Sequence, residues 1–215
     1  MDLVKRIQLL SPTTLHAISP INDIPLQALV DGAKNCLIEI PQHHTAKMEA
    51  NEEDIRQDMI NMSPTSIGTP RFYKYGPIPL AYGSFPQTKF VSPRGSAFPG
   101  DADPMDCLCI SDAVPAPSTG DVVQVKPLCS IPLVDCGESD WKCVAVDIDH
   151  KLARLMDDTE DVEALFPGLL NRLKRWFVHY KVAEGKGLNS LEGAIRGRLE
   201  TERALEAAHK AWEER

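Results

Sequence analysis

The amino-acid sequence predicts a mainly β protein with flanking helices, of the α+β class. Short apolar runs typical of strands, separated by polar connections, occupy the middle of the chain and do not alternate with helices. Apolar residues at helical spacing appear instead near the C-terminus. We therefore expect one domain over residues 1–215, with an irregular N-terminal segment (1–35), an antiparallel sheet or small barrel (36–150) and helices (160–215).

The N-terminal segment is expected to be irregular because Pro12, Pro20 and Pro25 interrupt any long helix. The first strand is expected at Cys36–Pro41, an apolar run that a proline ends. Glu39 interrupts this run, either as an exposed edge position or as a carboxylate that belongs to a site.

Lys47 and Glu49 follow, two positions apart, in a stretch that we also expect to be extended. In a strand this spacing places both side chains on one face, so a cation and a carboxylate point the same way. A surface ion pair would have the same spacing, and the sequence leaves both interpretations open. Residues 52–69 are polar and contain Pro64 and Gly68, which predicts a loop.

Residues 70–83 bring three of the four tyrosines and two cations into one segment that is rich in proline and glycine. This composition predicts a rigid, non-helical lining. Aromatic hydroxyls and an arginine fork suit the recognition of phosphate. The residues concerned are Arg71, Tyr73, Lys74, Tyr75 and Tyr82.

Three further strands are expected at Cys107–Ser111, Asp121–Cys129 and Lys142–Ile148. The connection before the last of them, residues 133–142, again carries acidic side chains in a turn.

Two helices are expected after the strands. The first would open at Pro167 and close at Tyr180–Lys181. The second would start around Ser190, a suitable N-cap. Its apolar face would consist of Leu191, Ala194, Ile195, Leu199, Leu205, Ala208 and Trp212.

The formal net charge of −8 bears on the partners of the chain. Nucleic acid and anionic membranes require basic surface, so we expect neither as a partner. A phosphate substrate would also be repelled, unless metal ions bound to the carboxylates invert the local sign. No apolar run approaches the ~20 residues of a transmembrane helix, and Met1–Thr14 has too short an apolar core for a signal peptide. The six cysteines form no CxxC pair, which favours reduced thiols in a cytoplasmic protein.

The segment Gly100–Asp106 carries three carboxylates, Asp101, Asp103 and Asp106, just before an apolar run. Asp, Gly and Pro favour turns, which predicts a tight loop that leads into a strand. Like charges this close repel by about 1 kcal/mol per pair at ~4 Å in water. Holding them together requires a cation or the protonation of one carboxyl group. We therefore predict a divalent-metal site with hard oxygen ligands.

Two other acidic motifs do not fit this loop. In an EF-hand that begins at Asp101, the glycine required at the sixth position would be Asp106. In an aspartyl-phosphate phosphotransferase the first aspartate follows a buried strand, whereas Ser96–Gly100 is a poor strand. What remains is a site for several Mg²⁺ ions with lysine, arginine and tyrosine side chains opposite, as in a metal-dependent phosphoryl hydrolase.

At these residues the chain resembles the family I soluble inorganic pyrophosphatases, and more closely their eukaryotic-type branch. Asp101, Asp103, Pro104 and Asp106 match the family's D-x-D-P-x-D signature. Further segments resemble family motifs in the family's order, from about Asp23 to the last helix. They are Asp23–Leu26 (DIPL), Glu39–Pro41 (EIP), Ala46–Glu49 (AKME), Tyr82–Thr88 (YGxxPQT), Asp135–Lys142 (DEGETDWK) and His179–Lys181 (R/H-Y-K).

The resemblance implies a five-stranded OB-like closed barrel with C-terminal α-helices packed beside it. It implies hydrolysis of pyrophosphate to two phosphates with several Mg²⁺ ions, for which Mn²⁺, Zn²⁺ or Co²⁺ can substitute. Asp103 matches the residue that takes a proton from the metal-bridging water. The implied metal ligands are Asp101, Asp106, Asp135, Asp140 and Glu49, with Glu39 as a supporting carboxylate. The implied phosphate-binding groups are Lys47, Arg71, Tyr82, Lys142, Tyr180 and Lys181.

The chain departs from the family pattern at three places. Lys89–Pro93 stands where the family has W-E-D-P, and Cys136 stands where the family has glutamate. The segment before Tyr82 aligns with gaps, which weakens the match at Arg71. The tyrosine usually found shortly before Tyr82 is therefore either Tyr75 or missing.

The resemblance also implies a homodimer or a higher homo-oligomer. For the compartment, the cytoplasm is expected, with an acidic polyphosphate-storing organelle as the alternative. Two other functions stay open: hydrolysis of short polyphosphates, and a catalytically silent scaffold that binds metal or phosphate.

Overall fold

The computed structural model of the chain describes residues 5–60 and 68–215. The strands are β1 (Arg6–Ile7), β2 (Lys34–Ile40), β3 (Met48–Ala50), β4 (Ile55–Gln57), β5 (Met59–Ile60), β6 (Thr69–Pro70), β7 (Ala81–Ser84), β8 (Asp106–Ile110), β9 (Val122–Ile131), β10 (Leu133–Asp135), β11 (Glu138–Ser139), β12 (Lys142–Asp147) and β13 (Ser190–Leu191). The helices are α1 (Thr159–Leu165), α2 (Leu169–His179) and α3 (Arg198–Glu213), with short 3₁₀ turns at Ala153–Leu155 and Val182–Glu184.

Five strands close into a barrel in the order β12-β8-β7-β2-β9. Four of the pairings are antiparallel, and β8 and β12 pair in parallel. α1 and α3 pack against β9. The expected fold class, a five-stranded closed barrel with C-terminal helices beside it, is confirmed. Four barrel strands lie within about two residues of their expected positions, whereas β7 was not expected as a strand.

Both faces of the barrel strands are buried. Residues such as Leu37, Leu108 and Val144 share one apolar cluster with side chains of α2. Their neighbours in sequence, such as Ile38 and Cys107, belong to a second cluster with side chains of α3. Because both faces are covered, these strands appear in the sequence as nearly continuous apolar runs. The six cysteines are free thiols as expected, and all except Cys136 are buried.

The expected loop over residues 52–69 is wrong in part, because β4, β5 and the start of β6 lie within it. Ile55 is fully buried, and its polar neighbour Arg56 is satisfied by an ion pair with Asp54. β4 also pairs with β1, so the N-terminal segment is not entirely irregular. Residues 61–67, part of the expected loop, and residues 1–4 lie outside the described residues.

The expected start of the last helix at Ser190 is wrong. Ser190 and Leu191 form β13 instead, because backbone pairing with β10 satisfies their polar groups. α3 begins eight residues later, after Gly197. Leu199 is 60% exposed and does not belong to the buried face, which Thr201, Ala204, Leu205 and Ala208 form.

The region before α2 also differs from expectation. Pro167 lies outside the helix, and Gly168, with a φ of 77°, is the N-cap. α1 was not expected from apolar spacing; a capping box of Asp158 and Asp161 defines its start. None of the helices in residues 5–60 and 68–215 is long and apolar enough to cross a membrane.

Candidate active site

A cavity of about 360 Å³ lies at the end of the barrel where β8 and β12 begin. Every metal-binding, catalytic and phosphate-binding residue that the resemblance implies lines it. The acidic ones are Glu39, Glu49, Asp101, Asp103, Asp106, Asp135 and Asp140, and the others are Lys47, Arg71, Tyr82, Lys142, Tyr180 and Lys181.

Strand register brings the centre of the site together. Asp106 and Lys142 are the first residues of two parallel strands and lie directly opposite each other. On the other side of β8, Asp106 is opposite Ser84 of β7. Parallel strands begin at the same end of a barrel, so a carboxylate and an ammonium meet at its mouth.

The acidic loop before β8 is held by close packing. A Cβ at Gly100 would lie 2.7 Å from the carbonyl oxygen of Phe90, so only glycine fits there. Phe90 also donates its backbone N–H to the carbonyl of Asp103 (2.7 Å), and Asp103 N–H donates to Asp101 Oδ1 (3.2 Å). Phe90 lies in the segment Lys89–Pro93, which stands where the family has W-E-D-P. It is buried and helps to support the acidic loop.

The central carboxylates outnumber the cation between them. Lys142 Nζ contacts Asp106 and lies 2.6 Å from both carboxylate oxygens of Asp140. Burial, together with the charges of Asp140 and Asp106, raises the pKa of Asp101 to about 8. Burial raises the pKa of Asp106 to about 6, although Lys142 opposes the rise. Burial and Asp140 also raise the pKa of Asp103.

This crowding of carboxylates favours the binding of a cation. Crowded, half-buried carboxylates with a single ammonium among them gain from a further cation. The side chains around Asp101 and Asp106 offer oxygen donors, which a hard divalent ion prefers. In the part of the chain that the structure describes, no group of three ligating side chains converges on one point. Lys142 Nζ lies between the carboxylates of Asp106 and Asp140. The chemistry of the donor set fits divalent ions, although the carboxylates are arranged around Lys142.

Glu39 is buried within the site, so the exposed-edge interpretation is wrong. Its Oε1 accepts hydrogen bonds from Ser84 Oγ (2.8 Å) and from the backbone N–H of Ala50 (3.1 Å). Burial and the nearby Asp106 raise its pKa to about 7. Ser84 is a cavity residue that the sequence interpretation missed.

The lysines of the lining are each paired with a carboxylate of the site. Lys47 contacts Glu49; the side chain of Lys47 is only 15% exposed and that of Glu49 is 49% exposed, so the lysine lies inside the cavity and the carboxylate at the surface. Burial lowers the pKa of Lys47 despite the nearby Asp58. Lys181 contacts Asp135, and Tyr180 Oη donates to the same carboxylate (3.4 Å). Lys181 keeps the pKa of Asp135 below its usual value although burial opposes this.

Arg71 lies in the cavity wall even though the sequence matched it across gaps. Its Nη1 donates to Asp58 Oδ2 (2.9 Å) and its Nη2 to Glu184 Oε2 (3.0 Å). The sequence interpretation assigned a role to neither carboxylate.

The tyrosine that joins the cavity before Tyr82 is Tyr73 rather than Tyr75. Tyr75 is 41% exposed and stacks on His179. Arg71 and Tyr73 are buried while Phe72 between them is exposed, which is the alternation of an extended segment. A turn at residues 74–75 ends that alternation. The spacing of Arg71 and Tyr73 was the signal that could have identified Tyr73.

Cys136, which stands where the family has glutamate, also lines the cavity. It is exposed, and its Sγ lies 3.8 Å from Lys181 Nζ. The departure at this position therefore changes the chemistry of the cavity wall beside Asp135.

Comparison with known proteins gives one consistent result. The sequence profile of the inorganic pyrophosphatase family matches residues 36–213. The chain is 40% identical to the chloroplastic soluble inorganic pyrophosphatase 6 of Arabidopsis thaliana over 180 residues, which cover 80% of this chain and 57% of that protein. It is 36% identical over 207 residues to an inorganic pyrophosphatase of Eremothecium gossypii, covering 91% of this chain and 70% of the relative.

The fold is similar to solved structures as well. The N-terminally truncated vacuolar soluble pyrophosphatase of Trypanosoma cruzi, in complex with PPi, superposes with a TM-score of 0.85. The two chains are 26% identical, and the match covers 100% of this chain and 91% of that one.

Proposed function

The chain belongs to the inorganic pyrophosphatase family, and from this membership we propose that it hydrolyses pyrophosphate to two phosphates with divalent metal ions. One observation carries the proposal. The signature carboxylates share a single cavity with four buried or half-buried cations, which gives both halves of a metal–pyrophosphate site. These cations are Lys47, Arg71, Lys142 and Lys181.

The carboxylates are proposed to divide the work of binding and activation. Asp101, Asp106 and Asp140 would hold metal ions, and Asp135 and Glu49 would hold ions that arrive with the substrate. Glu39, buried and hydrogen-bonded, would support them. When bound, the metal ions neutralise these carboxylates and lower the pKa of the attacking water.

Asp103 is proposed as the proton acceptor. It lies in the exposed part of the loop, on the cavity wall, where solvent can reach it. Its partial burial on the cavity wall and the nearby Asp140 raise its pKa, which makes the carboxylate a stronger base toward the attacking water.

The cations and tyrosines are proposed to bind the two phosphates. Lys47, Arg71, Lys142 and Lys181 would neutralise the charge of the phosphates, in the bound substrate as well as on the leaving group. Tyr82 and Tyr180 would donate hydrogen bonds; burial raises the pKa of each, so both hydroxyls keep their protons. Tyr73, buried on the same wall, would add a third hydroxyl.

We infer Mg²⁺ as the physiological metal, with several ions per site and Mn²⁺, Zn²⁺ or Co²⁺ as substitutes. Mg²⁺ commonly bridges carboxylates to phosphate and keeps several waters. We also infer a homodimer or higher homo-oligomer in the cytoplasm, without nucleic-acid or membrane partners. Gel filtration combined with light scattering tests the assembly, and a monomer would contradict it.

The direct test is phosphate release from pyrophosphate with and without Mg²⁺. Release that requires a divalent ion is expected, and no release by folded protein at saturating Mg²⁺ would end the proposal. Tripolyphosphate, assayed in parallel with Mg²⁺ and Zn²⁺, separates a pyrophosphatase from a short-chain polyphosphate hydrolase. A silent scaffold would require a broken catalytic set, whereas Asp103 and all proposed metal ligands line the cavity.

Asp106→Asn tests the division of roles. This change removes one negative charge at the centre of the carboxylate group while keeping the size of the side chain. We expect kcat to fall at least about a hundredfold and the far-UV circular dichroism spectrum to stay unchanged. Turnover at the wild-type rate would contradict the role of Asp106.

A further inference from the structure

We propose that Glu184 is a positioning residue that holds the guanidinium of Arg71 in the geometry required to bind pyrophosphate. The inference rests on the proposed function. Glu184 lies outside every family motif that was matched in this chain. The pair joins positions that lie 113 residues apart in the chain, so only the fold brings them together.

The contact fixes the direction of the guanidinium. Arg71 Nη2 donates to Glu184 Oε2 (3.0 Å), and Arg71 Nη1 donates to Asp58 Oδ2 (2.9 Å). The side chains of Arg71 and Glu184 are only 10% and 9% exposed. A planar fork that is held at both terminal nitrogens cannot rotate, so its remaining N–H groups keep one orientation.

Glu184 also links two segments that supply phosphate-binding cations. It ends the 3₁₀ turn that follows Tyr180 and Lys181, and its backbone N–H donates to the carbonyl of Lys181 (2.9 Å). Arg71 comes from the segment after β6. A single carboxylate thus links the guanidinium of Arg71 to the Lys181 segment.

The backbone of Arg71 does not depend on Glu184. Its carbonyl accepts from the backbone N–H of Lys47 (3.1 Å) and from Gln57 Nε2 (3.1 Å), and its N–H donates to the carbonyl of Asp58 (2.8 Å). Removing the Glu184 carboxylate should therefore free Nη2, leave the guanidinium held only by Asp58 and keep the chain in place. This separation makes a functional test feasible.

The pair is not arranged for stability alone. Glu184 Oε1 and Arg71 Nε are both buried, and neither has a hydrogen-bond partner among the described residues. A bidentate pair would have satisfied more of these atoms. Buried polar atoms without hydrogen-bond partners lower the stability of the folded state. Such a loss of stability is expected where the geometry serves substrate binding.

Steady-state kinetics on Glu184→Ala test the proposal. We expect KM for pyrophosphate to rise about tenfold, as for the loss of one charge-assisted hydrogen bond, with kcat within about twofold of wild type. Glu184→Gln keeps an oxygen acceptor for Arg71 Nη2, and its KM is expected to rise less than about threefold. Glu202→Ala is the matched control, since it removes an Arg–Glu pair (2.8 Å to Arg198) on α3; its KM should not change.

A double variant separates positioning from general structure. In an Arg71→Ala background, Glu184→Ala should not raise KM further, because the group that it positions is gone. Multiplicative effects, or a KM of Glu184→Ala within about twofold of wild type, would overturn the proposal. If Glu184→Ala unfolds, Glu184→Leu, which keeps the buried volume, takes its place; unfolding of both would assign a structural role. An inactive wild-type protein would instead sink the proposed function.

Discussion

Lys142 shows how single residues make an acidic protein able to bind an anion. Burial alone would lower the pKa of its ammonium, but Asp106 and Asp140 hold that pKa well above its usual value. The lysine therefore stays charged at the barrel mouth, between carboxylates that could instead hold metal ions. Local pairs of opposite charge thus count for more at this site than the net charge of the chain.

Tyr73 provides a prediction at the same scale. Tyr73→Phe removes only the hydroxyl and leaves the edge contacts of the ring with Trp176 and Tyr180. If that hydroxyl binds phosphate, KM for pyrophosphate should rise about three- to tenfold, as expected for one neutral hydrogen bond. Steady-state kinetics measure this. Tyr75→Phe, at an exposed tyrosine outside the cavity, should leave KM unchanged, and equal effects in both variants would exclude Tyr73 from the site.

At the scale of elements, Asp158 ties two helices together. Its carboxylate accepts from the N–H of Thr159 at the start of α1 (2.7 Å) and from the N–H of Arg198 at the start of α3 (3.1 Å). Burial raises the pKa of Asp158, but these backbone hydrogen bonds outweigh it and leave the pKa below its usual value.

Asp158→Ala should lower the free energy of unfolding by about 1 kcal/mol or more at pH 7, as for a lost N-cap. Because the pKa of the folded state lies below that of the unfolded state, this stabilisation is complete above about pH 4. It is lost as the pH falls through the folded-state pKa. The free energy of unfolding of Asp158→Ala and of wild type, measured with urea at pH 7 and at about pH 3, should therefore differ less at the lower pH. Glu160→Ala, an exposed carboxylate in the same turn, is the control, and a pH-independent difference would refute the linkage.

Gly83 sets how closely two barrel strands can approach. A Cβ there would lie 1.9 Å from the carbonyl oxygen of Leu37 on β2, so the barrel could not close without moving its backbone. Gly83→Ala should cost about 3 kcal/mol or more of stability in urea unfolding. Gly187→Ala meets nothing within 4 Å and should cost nothing. Similar midpoints for the two variants would contradict this close approach.

At the scale of the whole molecule, the net charge of −8 links metal binding to stability, because bound cations reduce the repulsion between carboxylates in the folded state. Ions that bind only the folded site stabilise it by about 2.7 kcal/mol at about a hundred times the dissociation constant. For a chain of this length that corresponds to about 5–10 °C in Tm. We expect Mg²⁺ to raise Tm by this amount in differential scanning calorimetry. KCl at equal ionic strength should not do so, and Asp101→Asn should reduce the shift; an equal shift with KCl would show mere charge screening.

Local sequence was enough to predict the acidic loop and four of the five barrel strands, but not β7, which lies in the stretch expected to be a non-helical lining. These strands are buried on both faces, so each appears in the sequence as a continuous apolar run. The ends of the run mark the ends of the strand. Asp101, Asp103 and Asp106 are neighbours in the chain, so their mutual repulsion, and with it the need for a cation, is a property of the sequence. The matched motifs then supplied the partners, each recognisable from a few adjacent residues.

Only the tertiary structure decided the contacts between distant segments. Ser190 has the character of an N-cap, yet pairing with β10 made it a strand. Tyr73 rather than Tyr75 reached the cavity because a turn at residues 74–75 ended the alternation begun at Arg71. Glu184 contacts Arg71, which is 113 residues away in the chain, only because the fold brings the turn after α2 beside the segment after β6. Local propensities are about 1 kcal/mol or less per residue, so burial and pairing with remote segments override them wherever the two disagree.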